Sequence, residues 1–381
     1  MFLKKYTMSK NYFSSTFWND KKISDSIIKK IKLKSKRFHS IYKRLPNIME
    51  VCGTHTISIA KSGIRNLVSD YVNLISGPGC PVCVTSQGDI DRVLSFSDFS
   101  NVIIVTFGDM MKVKGSKGYD FSFLRINGID VRVIYSVMDA IEIALKNSNK
   151  DIIFVGVGFE TTAPTVAAAL KYAKENNINN FLVAPLFKLV PPALRFLLET
   201  KISKIDAFIL PGHVSVIIGS DAYEFLARDY NIVSVISGFE PLDILRSIDI
   251  ILENLIEKRN SVEVEYARAV TKSGNKIALD IMNEVFEISD SYWRAVGIIK
   301  GSGYTLSKNY KRFNAFEKYS VKYYETSEPK GCLCGKILLG LSKPIDCLLF
   351  GKKCTPDDAV GPCMVSSEGA CSAWYKYGVK K

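Results

Sequence analysis

Short apolar runs alternate along the chain with segments whose apolar positions recur at helical spacing. Strands that are apolar throughout, separated by helices of about 10–15 residues, are typical of βαβ units around a parallel sheet, because such strands are buried on both faces. The runs that indicate strands lie at residues 45–51, 72–75, 101–107, 131–135, 151–157, 180–184, 207–210 and 232–236. The pattern therefore predicts the α/β fold class with parallel sheets.

The strand pattern restarts at Asp151, which indicates two similar lobes; a chance match of Gly-Pro turns is the alternative. Two such lobes facing a central cleft would line it with the loops at the carboxyl ends of their strands, where open α/β sheets bind ligands. We expect a basic N-terminal extension and helix over 1–40, followed by a first α/β lobe over 41–148 and a second over 149–240. The C-terminal domain covers 241–381; it is expected to be mainly helical to residue 330 and cysteine-rich after it.

The formal net charge is +13, and most of this excess lies in the first fifty residues. A basic groove through the fold is therefore not indicated, and we expect no nucleic-acid partner. We interpret the lysines of residues 22–37 as one solvated face of a helix. An arm that binds RNA, a membrane or a protein partner is the alternative.

No apolar run approaches the ~20 residues that span a bilayer, and the N-terminus lacks the apolar segment and cleavage site of a secretory signal. We therefore expect a cytoplasmic protein without a membrane partner. In a reducing compartment, nine cysteines indicate metal ligands or redox-active groups rather than structural disulfides.

Six of these cysteines lie in the last fifty residues. Four thiolates can hold either a tetrahedral zinc ion or a [4Fe–4S] cluster. Structural zinc usually uses paired Cys-x2–4-Cys knuckles, and here only the first pair is close, so the spacing favours a cluster; zinc, and free thiols or a disulfide, are the alternatives. The candidate ligands are Cys332, Cys334, Cys347, Cys354, Cys363 and Cys371.

The other three cysteines lie in two short Gly-rich motifs near the front of the chain. Cys80 and Cys83 form a Cys-x-x-Cys at a predicted strand-to-helix turn, where a helix N-terminus lowers a thiol pKa and a reversible disulfide is feasible. Half of a metal knuckle is the alternative. In the second motif, His55 lies three residues after Cys52; its imidazole could lower the thiol pKa or join the sulfur as a ligand to a soft metal such as iron. A buried cysteine beside a structural histidine is the alternative.

Three further polar residues lie at predicted strand ends, where they would face the same cleft. Glu50 precedes Cys52 and could support it or act as a plain capping group; His213 follows a strand in a Pro-Gly-His turn. Glu160 lies in a Gly-Phe-Glu-Thr-Thr turn, whose threonines ordinary helix capping explains equally well.

Taken together, these motifs resemble one family, the hydrogenase maturation factor HypD. Several unrelated motifs in the same order make a chance match very improbable, and they cover roughly residues 40–377, leaving the first forty residues outside. The resemblance is carried by EVCGTHT at 50–56, GPGCPVCV at 77–84, GFETTAP at 158–164, PGHVSV at 211–216, GFEPLD at 238–243 and GPCMVSSEGAC at 361–371.

The resemblance implies a role in building the Fe(CN)2CO moiety of [NiFe]-hydrogenases. HypD-like proteins form a complex with a HypC-type chaperone, and the iron is held between a chaperone cysteine and the position that matches Cys52 here, with His55 its neighbour. Cyanide arrives from a HypE-type partner, which obtains it with HypF.

The same resemblance assigns the remaining sulfur chemistry. The tail cysteines would hold a [4Fe–4S] cluster, and Cys80 and Cys83 would form a redox pair that works with it, much as in ferredoxin–thioredoxin reductase. Glu160, His213 and Glu240 would be cleft residues without an assigned role.

Two other functions are compatible with the residues alone. One is a stand-alone iron–sulfur thiol/disulfide oxidoreductase resembling ferredoxin–thioredoxin reductase, which needs neither His55 nor a chaperone. The other is a zinc-bound module that adapts other proteins.

Overall fold

The structure, a computed structural model, describes residues 21–378. Its strands form two parallel sheets and one antiparallel hairpin. The strands are β1 (Asn47–Glu50), β2 (Asn73–Ser76), β3 (Val102–Thr106), β4 (Val131–Val133), β5 (Asp151–Gly158), β6 (Phe181–Phe187), β7 (Ala207–Pro211), β8 (Val233–Ser237), β9 (Val262–Val264), β10 (Phe286–Trp293) and β11 (Gly297–Leu306).

Helices connect these strands and cover the sheets. They are α1 (Lys21–Tyr42), α2 (Gly53–Lys61), α3 (Ile64–Leu67), α4 (Pro81–Val84), α5 (Gln87–Leu94), α6 (Phe121–Ile126), α7 (Val137–Lys146), α8 (Ala163–Glu175), α9 (Val190–Thr200), α10 (Gly212–Ile218), α11 (Glu224–Tyr230), α12 (Pro241–Glu257), α13 (Lys276–Val285), α14 (Ala315–Lys318), α15 (Cys334–Leu338), α16 (Pro362–Val365) and α17 (Ala370–Tyr377). Among the residues described, no helix combines the length and the apolar character that crossing a membrane requires.

The first sheet has the strand order β2-β1-β7-β8-β9 and the second has β4-β3-β5-β6, with every neighbouring pair parallel. Every residue of β3, β5, β7 and β8 is buried, as expected for strands covered on both faces. The predicted α/β class with parallel sheets is confirmed.

The two sheets do not follow the two segments 41–148 and 149–240. Each sheet contains two strands from the first segment and two from the second, because β1 pairs with β7 and β3 pairs with β5. In the register of the first sheet, Ile48 lies opposite Ala207, far along the chain. The chain therefore crosses between the sheets twice, and a sheet is not a contiguous stretch of sequence.

The lysine-rich helix α1 is docked on the fold through its apolar face. Ile27, Ile31 and Phe38 are buried, and a fully buried side chain of this kind contributes about 1.5–3 kcal/mol. Lys34 pairs with Asp249 of α12 at 2.7 Å, but an ion pair at the protein surface typically adds at most about 1 kcal/mol. Apolar burial therefore holds the helix, and most of its lysines face solvent as the sequence predicts. Residues 1–20 of the predicted extension lie outside the described part of the chain.

The segment expected to be mainly helical contains an antiparallel hairpin, β10 and β11, which the sequence analysis did not predict. Helices α12 and α13 precede this hairpin, with the short strand β9 between them. The next residue, Phe286, begins β10 without an intervening loop.

Candidate functional site

The front motifs follow the carboxyl ends of strands in the first sheet. Cys52 lies two residues after β1, Gly77 directly follows β2, and Gly212 and Gly238 directly follow β7 and β8. Because parallel strands end at one edge of a sheet, these loops meet there. In the second sheet, Glu160 lies two residues after β5.

Cys52 lies immediately before the first residue of α2, with only 8% of its surface exposed. The backbone N–H groups of His55 and Thr54, in the first turn of α2, act to lower the pKa of its thiol. The positive end of a helix and two N–H donors are an arrangement that suits a thiolate or another anionic sulfur ligand.

The free thiol is nevertheless held in its protonated form. Burial raises the pKa of Cys52 to about 12, the nearby carboxylates of Glu368 and Glu50 act in the same direction, and the two backbone N–H groups only partly oppose them. A metal ion that binds this sulfur must therefore displace a proton.

His55 does not direct its ring at the Cys52 sulfur through its Nε2 atom. That nitrogen lies 2.9 Å from the carbonyl oxygen of Gly238 and 3.3 Å from that of Ser237. Burial lowers the pKa of His55 to about 4, so the ring is neutral at pH 7. A neutral ring that donates through Nε2 leaves Nδ1 as an acceptor, and Nδ1 is buried without a hydrogen-bond partner among residues 21–378.

The expected role of the His55 ring in lowering the pKa of the Cys52 thiol stays a prediction. Its expected role as a metal ligand stays a prediction too. The unpartnered Nδ1 atom is the one nitrogen of the ring that is free for it.

The loop before Cys80 is packed directly on the Cys52 backbone. A Cβ atom at Gly79 would lie 2.3 Å from the Cys52 nitrogen, so only glycine fits there. The carbonyl oxygen of Gly79 accepts from the N–H of Gly53 at 2.8 Å. The two cysteine motifs, which lie almost thirty residues apart in sequence, thus form one structural unit.

Cys80 and Cys83 are joined by a disulfide, the bond that their spacing allows. They flank the first turn of the short helix α4, and their exposed fractions are 3% and 0%. The disulfide also contacts the C-terminal cysteine-rich segment, because the Cys83 sulfur lies 3.9 Å from the carbonyl oxygen of Pro362. Pro362 immediately precedes Cys363, one of the candidate cluster ligands.

All six tail cysteines line one small cavity. Its other walls are mostly apolar, and the sulfurs of Cys334 and Cys363 lie 2.7 Å apart. The cavity is lined by Cys332, Cys334, Ile337, Cys347, Leu349, Phe350, Cys354, Gly361, Cys363, Met364 and Cys371. A set of thiols around an apolar cavity is the donor set that iron–sulfur clusters use, so these residues fit a [4Fe–4S] cluster.

Backbone N–H groups also point at the sulfurs of this cavity. The N–H of Val360 donates to the Cys354 sulfur at 3.3 Å. A side chain at Gly361 would come within 2.7 Å of the Cys332 sulfur, so glycine leaves room for this sulfur in the cavity wall.

Within residues 21–378, no three His, Cys, Asp or Glu side chains are arranged to hold a single metal ion.

The tail loop between Cys363 and Cys371 joins both sheets at the cleft. The Ser366 hydroxyl donates to Asp109, just after β3 of the second sheet, at 3.1 Å. The Thr54 hydroxyl, beside Cys52, donates to Glu368 at 3.1 Å. The loop thus covers the α2 N-terminus and ties it to the second sheet.

Glu50 is a fully buried carboxyl under the Cys52 loop. Burial raises its pKa to about 7, although the Arg65 guanidinium, 3.9 Å away, opposes the shift. The Thr56 hydroxyl donates to it at 2.8 Å, which ties β1 to α2. Glu50 thus links β1 to α2 beneath the loop that carries Cys52, and its expected role toward Cys52 stays a prediction.

Glu160 is also buried, but it has no ion pair with a cationic side chain among residues 21–378. Burial raises its pKa to about 7, and the N–H of Val190 donates to Oε1 at 2.9 Å. Its other oxygen is buried without a hydrogen-bond partner in the described part of the chain. Burial raises the pKa of the Tyr223 phenol, and Glu160 and Cys52 act in the same direction, so Tyr223 lies near both residues.

The other two predicted cleft residues are on the surface. His213 is exposed, and its ring stacks on Phe239 at a centroid distance of 3.9 Å; His55 stacks on the same ring at 4.9 Å. Glu240 is exposed at the start of α12, where its N–H donates to Asp243. Phe239 is thus the link between the two histidines.

Glu368, Tyr223 and Phe239 are site residues that the sequence analysis did not single out. Phe239 and Glu368 lie inside the recognised motifs at 238–243 and 361–371, so the motifs alone could have pointed to them. Tyr223 lies in no motif, and nothing local in the sequence marks it.

Comparison with known proteins identifies the family. The profile that matches residues 22–378 is that of HypD, described as the hydrogenase formation hypA family. The match begins at residue 22, so the expectation that the first forty residues fall outside the family is wrong for the α1 helix.

Several characterised relatives are similar over most of their length, and each bears the name hydrogenase maturation factor HypD. The Escherichia coli protein is 42% identical over 348 residues, 91% of this chain and 93% of that protein. The Cupriavidus necator protein is 40% identical over 339 residues, 87% and 89%. The Rhodobacter capsulatus protein is 38% identical over 371 residues, 96% and 98%. The chain belongs to the HypD family.

Proposed function

We propose that the chain is a hydrogenase maturation factor on which the Fe(CN)2CO moiety of [NiFe]-hydrogenase is assembled, in a complex with a HypC-type chaperone. Iron is the cargo, and the Cys52 sulfur is its ligand on this chain. A HypE-type partner, supplied by HypF, brings the cyanide.

One observation carries the proposal: the segments that bear Cys52, the Cys80–Cys83 disulfide and the tail cysteines pack against one another. Gly79 packs on the Cys52 backbone, Cys80 follows Gly79, and the disulfide touches the segment that bears Cys363. The iron-site thiol, the redox pair and the six-cysteine cavity therefore form one path through the protein.

Each part of this path has a defined task. A [4Fe–4S] cluster held by the tail cysteines supplies electrons one at a time. The disulfide between Cys80 and Cys83 takes up two electrons and two protons to become two thiols. Cys52 holds iron at the positive end of α2, where the backbone N–H groups of Thr54 and His55 stabilise negative charge on the sulfur.

The buried position of the redox pair distinguishes this proposal from a stand-alone disulfide oxidoreductase. A substrate thiol must contact a sulfur of the disulfide in line, yet Cys80 and Cys83 are 3% and 0% exposed. Groups inside the protein, in contrast, are already next to the pair. The structure thus favours electron transfer within the chain over turnover of a protein substrate.

Complementation of a strain that lacks its own HypD tests the proposal. The Cys52→Ala variant should give no mature hydrogenase, while the sulfide content of the purified variant, which reports the tail cluster, equals that of the wild type. Ser62→Ala, at the exposed end of the same helix, is the matched control and should restore full activity. Normal hydrogenase activity with Cys52→Ala would refute the assigned role of this thiol.

A further inference from the structure

Arg294 is a buried arginine whose position no part of the proposed function explains. It directly follows β10, in the turn of the β10–β11 hairpin, and only 1% of its surface is exposed. Burying a charge is costly unless partners surround it, so a buried guanidinium indicates a specific electrostatic task.

The backbone and side chain of Arg294 fasten the hairpin turn to the end of α4. Its N–H donates to the carbonyl oxygen of Val84 at 2.8 Å, and Nε donates to that of Thr85 at 3.0 Å. Val84 and Thr85 are the two residues that follow Cys83. Arg294 is therefore fixed against the segment that carries the redox pair.

The other side of the same turn is fixed against the cysteine cavity. A Cβ atom at Gly335 would lie 2.0 Å from the Cβ atom of Ala295, so the turn packs tightly on the residue next to Cys334. The guanidinium itself pairs with Glu328, four residues before Cys332, so its charge lies beside the chain segment that leads into the cavity.

The partners of the guanidinium leave part of it unused. Nη1 donates to Gln87 at 3.2 Å and to the carboxylate of Glu328, which is the acidic partner of the pair. Nη2 is buried and has no hydrogen-bond partner in the part of the chain that the structure describes. A native protein rarely leaves such a donor unpaired without a reason.

We propose that Arg294 is a positioning residue that places one positive charge between the redox pair and the cysteine cavity, and that this charge raises the reduction potential of a cluster bound there. The inference rests on the proposed function, in which the tail cysteines hold a [4Fe–4S] cluster. A cluster bound by four thiolates is anionic and gains a further negative charge on reduction, so a nearby cation stabilises the reduced form. Because the site is buried, water screens this interaction only weakly.

Glu328 acts in the opposite direction. Its carboxylate partly neutralises Arg294, and its side chain is 34% exposed, so it can be replaced without opening a buried space. Removing it should strengthen the positive field at the cysteines. The pair therefore predicts two shifts of opposite sign from two neutralising substitutions.

The test is a redox titration of the full-length protein, purified anaerobically and followed by electron paramagnetic resonance. Arg294→Gln should shift the midpoint potential to more negative values, and Glu328→Gln should shift it to more positive values. Arg294→Lys should stay near the wild type, because it keeps the charge. Arg92→Gln is the control, since this arginine instead contacts Phe316 and Val321.

Each outcome decides the inference. Wild-type potentials in loaded Arg294→Gln and Glu328→Gln proteins overturn it, and so does a shift of the same sign in both. If Arg294→Gln does not fold, the direction of the Glu328→Gln shift alone decides. If the wild-type protein binds no iron and no sulfide, both the cluster of the proposed function and this inference are wrong. If the cluster is bound but the substitutions do not change its midpoint potential, only this inference is wrong.

Discussion

Glu160 gives the fold a pH dependence that one substitution should remove. Burial raises the pKa of its carboxyl from about 4.5 to about 7. Between these two values the folded chain keeps a proton on Glu160 that the unfolded chain has already released. The stability that this proton confers is complete below about pH 4.5 and is lost as the pH rises through about 7.

The size of the effect follows from the two pKa values. Their difference of about 2.5 corresponds to about 3 kcal/mol of unfolding free energy. Glu160→Gln removes the titration and keeps an oxygen that can accept from the N–H of Val190. The wild type should therefore lose about 3 kcal/mol more than the variant between pH 4.5 and pH 8.

Urea unfolding at a series of pH values, followed by circular dichroism with the disulfide state held constant, measures this difference. Glu50 and Glu265, whose pKa values burial also raises to about 7, are present in both proteins and cancel in the comparison. Glu142→Gln is the control, because that side chain is 70% exposed. Parallel pH profiles for the wild type and Glu160→Gln would refute the reasoning.

Two further substitutions test the packing around the site. Gly79→Ala should destabilise the chain by about 1–3 kcal/mol and abolish maturation, because its Cβ would displace the Cys52 backbone. Gly108→Ala is the control: the nearest atom is 3.9 Å away, so stability should change by less than about 1 kcal/mol in the same urea assay. Equal unfolding midpoints for the two variants would contradict the contact between Gly79 and the Cys52 backbone. Lys188→Met should lower the free energy of unfolding by about 3–5 kcal/mol, because it leaves the buried carboxylate of Asp89 without its partner at 3.4 Å. Adding Asp89→Asn should recover part of this loss. A double variant no more stable than the single one would argue against the ion pair.

The fold class could be predicted because buried parallel strands have a local signature, a continuous apolar run. The partners of those strands have none. β1 pairs with β7 in the first sheet and β3 pairs with β5 in the second, and nothing within β1 or β3 specifies a partner so far along the chain. A restart of the strand pattern therefore suggested two contiguous lobes, whereas both sheets draw on both segments.

The hairpin was missed for a related reason. Helix α13 ends at Val285 and β10 begins at the next residue, so no glycine or proline separates the two periods. In β10 only the first and last residues, Phe286 and Trp293, are buried, which weakens the alternation that identifies a strand.

Within the candidate site, chemistry was easier to predict than geometry. Cysteine spacing indicated both the Cys80–Cys83 bond and the clustering of the tail thiols. The spacing of the motif did not indicate that the Nε2 atom of His55 lies against the carbonyl groups at the end of β8, because those groups come from a distant segment of the chain. The contact between Cys83 and Pro362 depends on how two distant segments pack, and no local pattern predicts it.

Infrared spectroscopy of the chain co-purified anaerobically with a HypC-type chaperone tests the central claim most directly. We expect absorption bands of iron-bound cyanide and carbon monoxide in the wild-type complex, and their disappearance in Cys52→Ala with the tail cluster still present. The same bands at full intensity in the Cys52→Ala complex would show that this thiol does not hold the iron.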